Sequence, residues 1–378
     1  MINKKRLVRL TQELIRMDSQ NPPGNEYKIA HFVKDRLQAA GLRVGLYEFS
    51  KKRSNVVAWL KGKKSTFSLL ITPHLDTVPA GSNWKFNPFG AKIYKGKIYG
   101  RGATDCKGNL ACGIEAIQSL KEEDIKLDYD IIFAACADEE SGSQFGIIPL
   151  LKKKIIKPNF ALILDADEFK IIVAQKGLIH LKVSVFGKKA HGAYPWRGIN
   201  AIEISSNIIN RLKKHRFHFK RHPLLHPPTL NIGTIHGGDK VNIVADWCEF
   251  ELDFRFLPGM EKEVILKDIK KIVGEEAKKF KINIQSIQAP YEIEKNHPLV
   301  AALRKVNRQV LGRENLSGSE GATVITFFQE LNIPAVAYGC GEAGCAHVSD
   351  EYIKINNLYK GAYVLEEFLK NFGKVVRP

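Results

Sequence analysis

The segment Thr72–Pro79 contains a histidine and an aspartate, His74 and Asp76, whose types and spacing suit a metal site. The hydrophobic run Phe67–Ile71 just before it predicts a buried parallel strand. Both side chains would then follow the carboxyl end of a strand, where open α/β sheets bind their ligands. A carboxylate two residues from an imidazole can orient that imidazole as a metal ligand. Because a single histidine near a strand end is more often structural, the interpretation needs further ligands.

Five further acidic or imidazole side chains follow predicted strands elsewhere in the chain. They are Asp105 after Lys97–Tyr99, Glu139 and Glu140 after Tyr129–Ala135, Asp165 after Phe160–Leu164, and His347 after Ala335–Tyr338. Taken singly, each is typical of a turn or a helix cap. Together with His74 they suit a pair of zinc ions with one bridging carboxylate. One member of the pair Glu139 and Glu140 would stay free as a general base, because neighbouring residues point in different directions.

The order of the predicted elements indicates an α/β protein with a second domain inserted into the first. Strand-like and helix-like segments alternate up to about residue 164, which favours a mostly parallel, helix-flanked sheet. The following part has the order β-α-β-β-α-β of a split βαβ sandwich. Its strands are Leu178–Phe186, Thr229–Ile235, Trp247–Phe256 and Lys281–Ile287, and its helices are Asn200–Lys213 and Glu261–Phe280. The prediction is a discontinuous domain of residues 1–177 and 289–378, interrupted by a domain of residues 178–288.

Length and composition describe an ordinary globular chain. Its 378 residues are enough for two domains with large hydrophobic cores. No apolar run reaches the length of a membrane span. The basic stretch Met1–Arg16 is typical of an amphipathic helix and not of a signal peptide, so we expect a cytoplasmic protein. The six cysteines are scattered, which favours free thiols, with a thiolate metal site at Cys340 and Cys345 as the alternative.

The net charge of +18 raises the question of an anionic partner. Nucleic acid is one interpretation. However, the basic residues are spread along the chain and are not interleaved with aromatic residues. A lysine-rich solvated surface explains the charge more simply, and attraction of anionic substrates is compatible with it. We therefore expect neither nucleic acid nor a membrane as a partner.

These segments resemble the family of dizinc aminoacylases, acetylornithine deacetylases, succinyl-diaminopimelate desuccinylases and glutamate carboxypeptidases. The resemblance covers nearly the whole chain. In the larger domain it lies in Ser19–Gly24, His74–Pro79, Trp84 with Pro88–Gly90, Gly100–Asp105 with Lys107–Gly108, and Asp138–Glu140. In the inserted domain it lies in Ala190–Ala193, Gly198–Ala201, Gly237–Asn242 and Asp253–Arg255. It implies a zinc-exopeptidase-like fold with an inserted ferredoxin-like dimerisation domain.

The resemblance implies two zinc ions in each subunit, with cobalt as a substitute. The five side chains that would bind them are His74 and Asp165 for one ion, Glu140 and His347 for the other, and Asp105 as the bridge. Some relatives have glutamate in place of Asp165, which affects the subgroup but not the mechanism.

The remaining roles implied by the resemblance concern catalysis and substrate binding. Glu139 would be the general base, and Asp76 would orient His74. His191 would reach the active site of the neighbouring subunit in a homodimer and stabilise the oxyanion there. Asn242 and Arg255 would hold the substrate. For Arg255, strand alternation allows an alternative, because it places the guanidinium on the same face as Asp253, where the two would form a surface ion pair.

Two departures from the family pattern stand out. Cys106 occupies a position where the family often has methionine, which puts a thiol that is open to oxidation beside the bridging ligand. The segment Gly318–Ala322 replaces the commoner Thr-Ser-Asp substrate loop, so the substrate cannot be read from that loop.

The function implied by the resemblance is that of a zinc-dependent amidohydrolase acting on N-acyl amino acids, of the deacetylase or desuccinylase type. Glu139 would deprotonate the water between the two metals and pass the proton to the leaving amine. A carboxypeptidase or dipeptidase acting on short peptides is the alternative within the same chemistry. A basic nucleic-acid-binding protein on an inactive scaffold is the alternative from another class. The complete ligand set argues against it.

Overall fold

The computed structural model describes residues 1–376. The α-helices are α1 Lys4–Ile15, α2 Tyr27–Ala39, α3 Gly108–Glu122, α4 Ile147–Lys152, α5 Ala201–Lys214, α6 Lys262–Glu276, α7 Pro298–Leu311, α8 Ile325–Gln329 and α9 Ile355–Val375. The first eight strands are β1 Arg43–Glu48, β2 Ser54–Leu60, β3 Ser68–Thr72, β4 Lys92–Tyr94, β5 Lys97–Tyr99, β6 Asp130–Ala135, β7 Phe160–Ile163 and β8 Ile171–Gln175. The others are β9 Gly177–Phe186, β10 Thr229–Gly237, β11 Trp247–Phe256, β12 Phe280–Gln288, β13 Tyr291–Glu292, β14 Leu316–Ser319, β15 Ala335–Tyr338 and β16 Tyr352–Lys354.

The chain divides into two compact units. The first consists of Met1–Val173, Ile293–Ser317 and the chain from Thr323 onward. The second consists of Ala174–Glu292 and Gly318–Ala322, so it begins a few residues before the predicted insertion and includes a short later segment. The predicted roles of the two units, catalysis and dimerisation, stay predictions.

The first unit is built on a mixed sheet whose central strands are parallel. Its strands follow the order β1-β2-β6-β3-β7-β15-β8. Strands β6, β3, β7 and β15 are parallel to one another, and the outer strands β1, β2 and β8 pair in the antiparallel direction. The four central strands are almost entirely buried because hydrophobic residues occupy consecutive positions along them. The predicted α/β class with a mostly parallel central sheet is confirmed.

The second unit has the element order β-α-β-β-α-β. Its four antiparallel strands follow the order β10-β11-β9-β12. Residues of β11 alternate between buried and partly exposed, and the buried ones pack with residues of α5 and α6 in one hydrophobic cluster. One face of the sheet is therefore covered by the two helices, as in a ferredoxin-like sandwich.

The sequence patterns missed short elements and misplaced one helix end. The strands β4, β5 and β16 form a separate sheet, and only β5 was predicted. Strands of three residues show no clear periodicity, so β4 and β16 could not be distinguished from loops. The predicted helix Glu261–Phe280 ends at Glu276, where the backbone of Ala277 is already extended.

Two expectations from composition concern membranes and cysteines. Among residues 1–376, no helix combines the length and the apolar character that a membrane span requires. All six cysteines are free and buried. Within the described part of the chain, neither Cys340 nor Cys345 belongs to a group of side chains that could hold a metal ion.

Candidate metal centre

His74 is held at the carboxyl edge of the central sheet by an extension of the pairing between β3 and β6. The N–H of Cys136 donates to the carbonyl of Pro73 at 3.0 Å, and the N–H of Leu75 donates to the carbonyl of Cys136 at 2.7 Å. The His74 Nδ1 lies 3.0 Å from the carbonyl oxygen of Asp76 and 3.5 Å from its carboxylate. These contacts orient the ring so that its Nε2 is available as a ligand.

Asp105 lies between the two histidines. Its Oδ1 is 2.9 Å from His74 Nε2, and its Oδ2 is 3.2 Å from His347 Nε2. Burial alone would raise the pKa of Asp105, but hydrogen bonds from His347 and His74 hold this pKa below its ordinary value. One carboxylate that directs one oxygen to each imidazole has the arrangement that a bridging ligand requires.

Glu140 completes a group with Asp105 and His347. Its Oε2 lies 3.3 Å from His347 Nε2, and the ligand atoms of all three residues lie within 4.8 Å of one another. Hydrogen bonds to Asp105 and Glu140 raise the pKa of His347 to about 10. The His347 side chain is 54% exposed, so this half of the centre is open to solvent. A divalent cation bound here would displace the proton from the imidazole, because metal ligands must be deprotonated.

Glu139 and Asp165 form a second group with His74, and again the ligand atoms lie within 4.8 Å of one another. Asp165 lies two residues beyond the end of β7. Burial is the largest cause that raises the pKa of Asp165 to about 7, and repulsion from Asp105 is the second. Burial is likewise the largest cause that raises the pKa of Glu139 well above its ordinary value, and repulsion from Asp165 is the second. Crowded carboxylates with raised pKa values are typical of a site built for cations, whose charge relieves the repulsion.

Asp76 supports the centre from outside the two groups. Its Oδ1 accepts the N–H of Glu139 and its Oδ2 accepts the N–H of Glu140, both at 3.1 Å. Through these bonds and its contact with His74, it ties two edges of the centre together. The orienting role that the family resemblance implies for Asp76 stays a prediction.

The donor set fits a pair of divalent ions. Imidazole nitrogens and carboxylate oxygens at these separations suit zinc and related metals. Cys106 forms a third group with His74 and Asp105, but its thiol donates to the His74 carbonyl at 3.4 Å and accepts the His74 N–H at 3.2 Å. Burial raises the pKa of Cys106 to about 12. The thiol is therefore neutral at physiological pH and a poorer ligand than the carboxylates.

The other three predicted residues lie in the second unit. His191 is exposed, and its Nδ1 accepts the N–H of Ala193 at 3.0 Å. Asn242 lies beside it, since its carbonyl accepts the N–H of Gly192 at 2.8 Å. Arg255 lies on β11 and forms the ion pair with Asp253 that was the alternative to substrate binding. The structure thus brings His191 and Asn242 together, and Arg255 already has a carboxylate partner.

Sequence reasoning missed a buried ion pair that holds Asp105 in place. Glu351 accepts the backbone N–H groups of Gly102, Thr104 and Asp105 at 3.0, 2.8 and 3.1 Å. The same carboxylate pairs with Arg101 at 2.7 Å, and both side chains are buried. A buried arginine requires such a partner, but nothing in the sequence indicates that Arg101 is buried.

Comparisons with known proteins find a family model, relatives and solved structures that are similar to this chain. The model of Peptidase family M20/M25/M40 matches residues 70–371. An uncharacterized metallohydrolase of Methanocaldococcus jannaschii is 29% identical over an alignment of 410 positions, which covers 96% of this chain and 98% of the relative. Acetylornithine deacetylase of Edwardsiella ictaluri is 29% identical over 352 residues, which cover 89% of this chain and 88% of the relative. A solved tripeptidase of Staphylococcus aureus superposes with a TM-score of 0.82 at 26% identity, covering 99% of this chain and 100% of that chain.

Proposed function

Because the chain belongs to peptidase family M20/M25/M40, and is therefore a hydrolase of amide or peptide bonds, we propose that it hydrolyses N-acyl amino acids with two zinc ions. The observation that carries the proposal is Asp105, whose two carboxylate oxygens face two different histidines. Divalent ions bound there supply a water of lowered pKa and polarise the amide carbonyl of the substrate. The five ligands are the side chains implied by the resemblance: His74, Asp105, Glu140, Asp165 and His347.

In this proposal Glu139 moves the proton. It is partly buried beside His74 and Asp165, and the raised pKa of its carboxyl group suits a group that must both accept and release a proton. Glu139 takes a proton from the attacking water and passes it to the nitrogen of the leaving amine. Asp76 keeps the backbone of Glu139 fixed through a hydrogen bond to its N–H.

The similarity to acetylornithine deacetylase of Edwardsiella ictaluri, at 29% identity, favours an acyl amino acid over a peptide as the substrate. The tripeptidase of similar fold supports the alternative, a peptidase that cleaves short peptides. Both substrate types carry a free carboxylate, which the net charge of +18 would attract. Arg255 would bind this carboxylate through its planar guanidinium after exchanging its partner Asp253.

A substrate panel tests the proposed function. We expect purified protein loaded with zinc or cobalt to release free amine from acetylated or succinylated amino acids. Di- and tripeptides form the second arm of the panel, and protein stripped by a chelator is the control. Faster cleavage of the peptides would replace the deacylase assignment by the peptidase one. No cleavage in either arm by metal-loaded protein would contradict both.

We further propose a homodimer in which His191 acts in the partner's active site. The exposed His191 supports this, as does the free edge strand β10 of the second unit. Exposed apolar side chains in the same unit, among them Trp196 at 74% exposure and Trp247, are typical of an interface.

Mixing two inactive variants tests this arrangement. We expect His191→Ala and Glu139→Gln subunits, each inactive alone, to regain activity when they exchange, because each mixed dimer would contain one intact site. The measurement is turnover after verified subunit exchange, with each variant incubated alone as the control. Absence of recovery in verified mixed dimers would show that His191 does not act across the interface.

A further inference from the structure

The segment Ser19–Gly24 resembles the family but has no part in the proposed chemistry. In the structure it reaches the metal centre from behind. The Asn21 Nδ2 donates to the Oδ2 of Asp76 at 2.9 Å and to the Oδ1 of Asp138 at 3.3 Å. Asn21 thereby joins Asp76 to Asp138. Asp76 accepts the N–H groups of Glu139 and Glu140, and Asp138 directly precedes both glutamates.

Arg53 occupies the centre of the same buried network. Its Nη2 donates to the Oε1 of Glu26 and to the Oδ1 of Asp138, both at 2.8 Å. Only 7% of Arg53 is exposed. Gly24 has a φ of +80°, and a Cβ atom at this position would lie 2.2 Å from the Arg53 Nη1. Glycine at position 24 therefore leaves the space that the guanidinium fills.

Asp138 transmits this anchoring to the two glutamates that follow it. Its backbone is left-handed, with a φ of 67°. Its own N–H donates to the Oε1 of Glu26 at 3.3 Å, and its Oδ2 accepts the N–H of Phe145 at 3.0 Å. Both carboxylate oxygens and the backbone of Asp138 are thus fixed, immediately before Glu139 and Glu140.

We propose that Arg53, seated between Glu26 and Asp138, is a positioning residue that fixes Glu139 and Glu140 for the reaction. This inference rests on the roles of Glu139 and Glu140 in the proposed function. Loss of the guanidinium leaves the carboxylates of Glu26 and Asp138 buried without their cation. The Asp138–Glu140 backbone must then relax, which moves the side chains of Glu139 and Glu140. Misplacement of a catalytic group by about 1 Å is enough to cost about 100-fold in rate.

A purely stabilising ion pair is the competing interpretation. Two observations argue against it. In the part of the chain that the structure describes, the Arg53 Nε and the Glu26 Oε2 have no hydrogen-bond partner. A half-satisfied buried network contributes less to stability than apolar packing of the same volume. In addition, each acceptor of the network is tied to the backbone at Glu139. Asp138 directly precedes Glu139, Glu26 accepts the N–H of Asp138, and Asp76 accepts the N–H of Glu139.

The test compares Arg53→Met and Arg53→Lys with the control Arg6→Met. Arg6 forms a 2.7 Å ion pair with the fully buried Glu115, so its loss also leaves a buried carboxylate, but outside this network. For each protein we would measure kcat and KM on the best substrate of the panel, the affinity for Co²⁺ by absorption titration, and the thermal unfolding midpoint. The titration needs no substrate, so it stays decisive even if no substrate of the panel is cleaved and the proposed function fails.

For Arg53→Met we expect kcat or Co²⁺ affinity to fall by about 10- to 100-fold, as for residues that support metal ligands. We expect KM to stay within a factor of about three, because this network does not include the residues proposed to hold the substrate. Arg53→Lys keeps the charge but not the fork, so it should fall between Arg53→Met and the wild type. If Arg53→Met does not fold, the lysine variant is compared with Arg6→Met in the same way. Values of kcat and Co²⁺ affinity equal to those of Arg6→Met would show a structural role only.

Discussion

Glu139→Gln is expected to abolish turnover and to leave the bound metal nearly unchanged. Glutamine keeps the size of the side chain but cannot accept a proton, and loss of a general base costs about 10²- to 10⁴-fold in rate. Glutamine also has nearly the shape of a protonated glutamate, so we expect it to fit the same position. The measurements are kcat on the best substrate and metal content by elemental analysis.

The adjacent Glu140 offers a matched control, because it has the same side chain and the same backbone support. Both N–H groups bond to the carboxylate of Asp76 at 3.1 Å. Glu140→Gln should lose metal as well as activity, since Glu140 is grouped with Asp105 and His347 as a ligand. Because Glu139 itself lies within ligand distance of His74 and Asp165, loss of metal in Glu139→Gln would make it a ligand. Normal turnover in that variant would remove it from the mechanism.

The strand ends explain why so much of the centre could be predicted from the sequence. Hydrophobic runs such as Ser68–Thr72 can be recognised in one chain, and parallel strands bring the residues that follow them to one edge of the sheet. His74, Glu139 and Asp165 come after such strands and lie together in the structure. The assignment of separate roles to Glu139 and Glu140 came from the resemblance, and the structure leaves it as a prediction.

The supports of the centre could not be predicted because they are contacts between distant parts of the chain. Arg53 is separated from Asp138 by 85 residues, and Asp105 is separated from Glu351 by 246 residues. No periodicity identifies which arginine will meet which carboxylate in a folded core. Glycines with positive φ, such as Gly24, also occur in many turns that have no function. Supporting residues of this kind can be recognised only in the folded structure, where each buried charge is seen with its partner.

Asp105→Ala is expected to remove metal from both halves of the centre, the opposite of the result for Glu139→Gln. Its two carboxylate oxygens are the nearest acceptors common to His74 and His347. Alanine leaves each half with one ligand fewer and removes the negative charge shared by the two ions, so each ion should bind more weakly. Metal analysis should show less than one equivalent bound, and turnover should fall at least as far as in Glu139→Gln.

The control for this variant is Asp167→Ala, an aspartate two residues beyond Asp165 whose carboxylate pairs with Lys170 at 3.0 Å and belongs to neither group of ligands. It should keep two equivalents of metal and wild-type turnover, since a half-exposed ion pair contributes about 0–1 kcal/mol to stability. Two equivalents of metal in Asp105→Ala would show that the carboxylate does not bridge. One equivalent, held as tightly as in the wild type, would mean that Asp105 serves a single ion. The close contact with the second histidine would then be a hydrogen bond, which a metal ion does not replace.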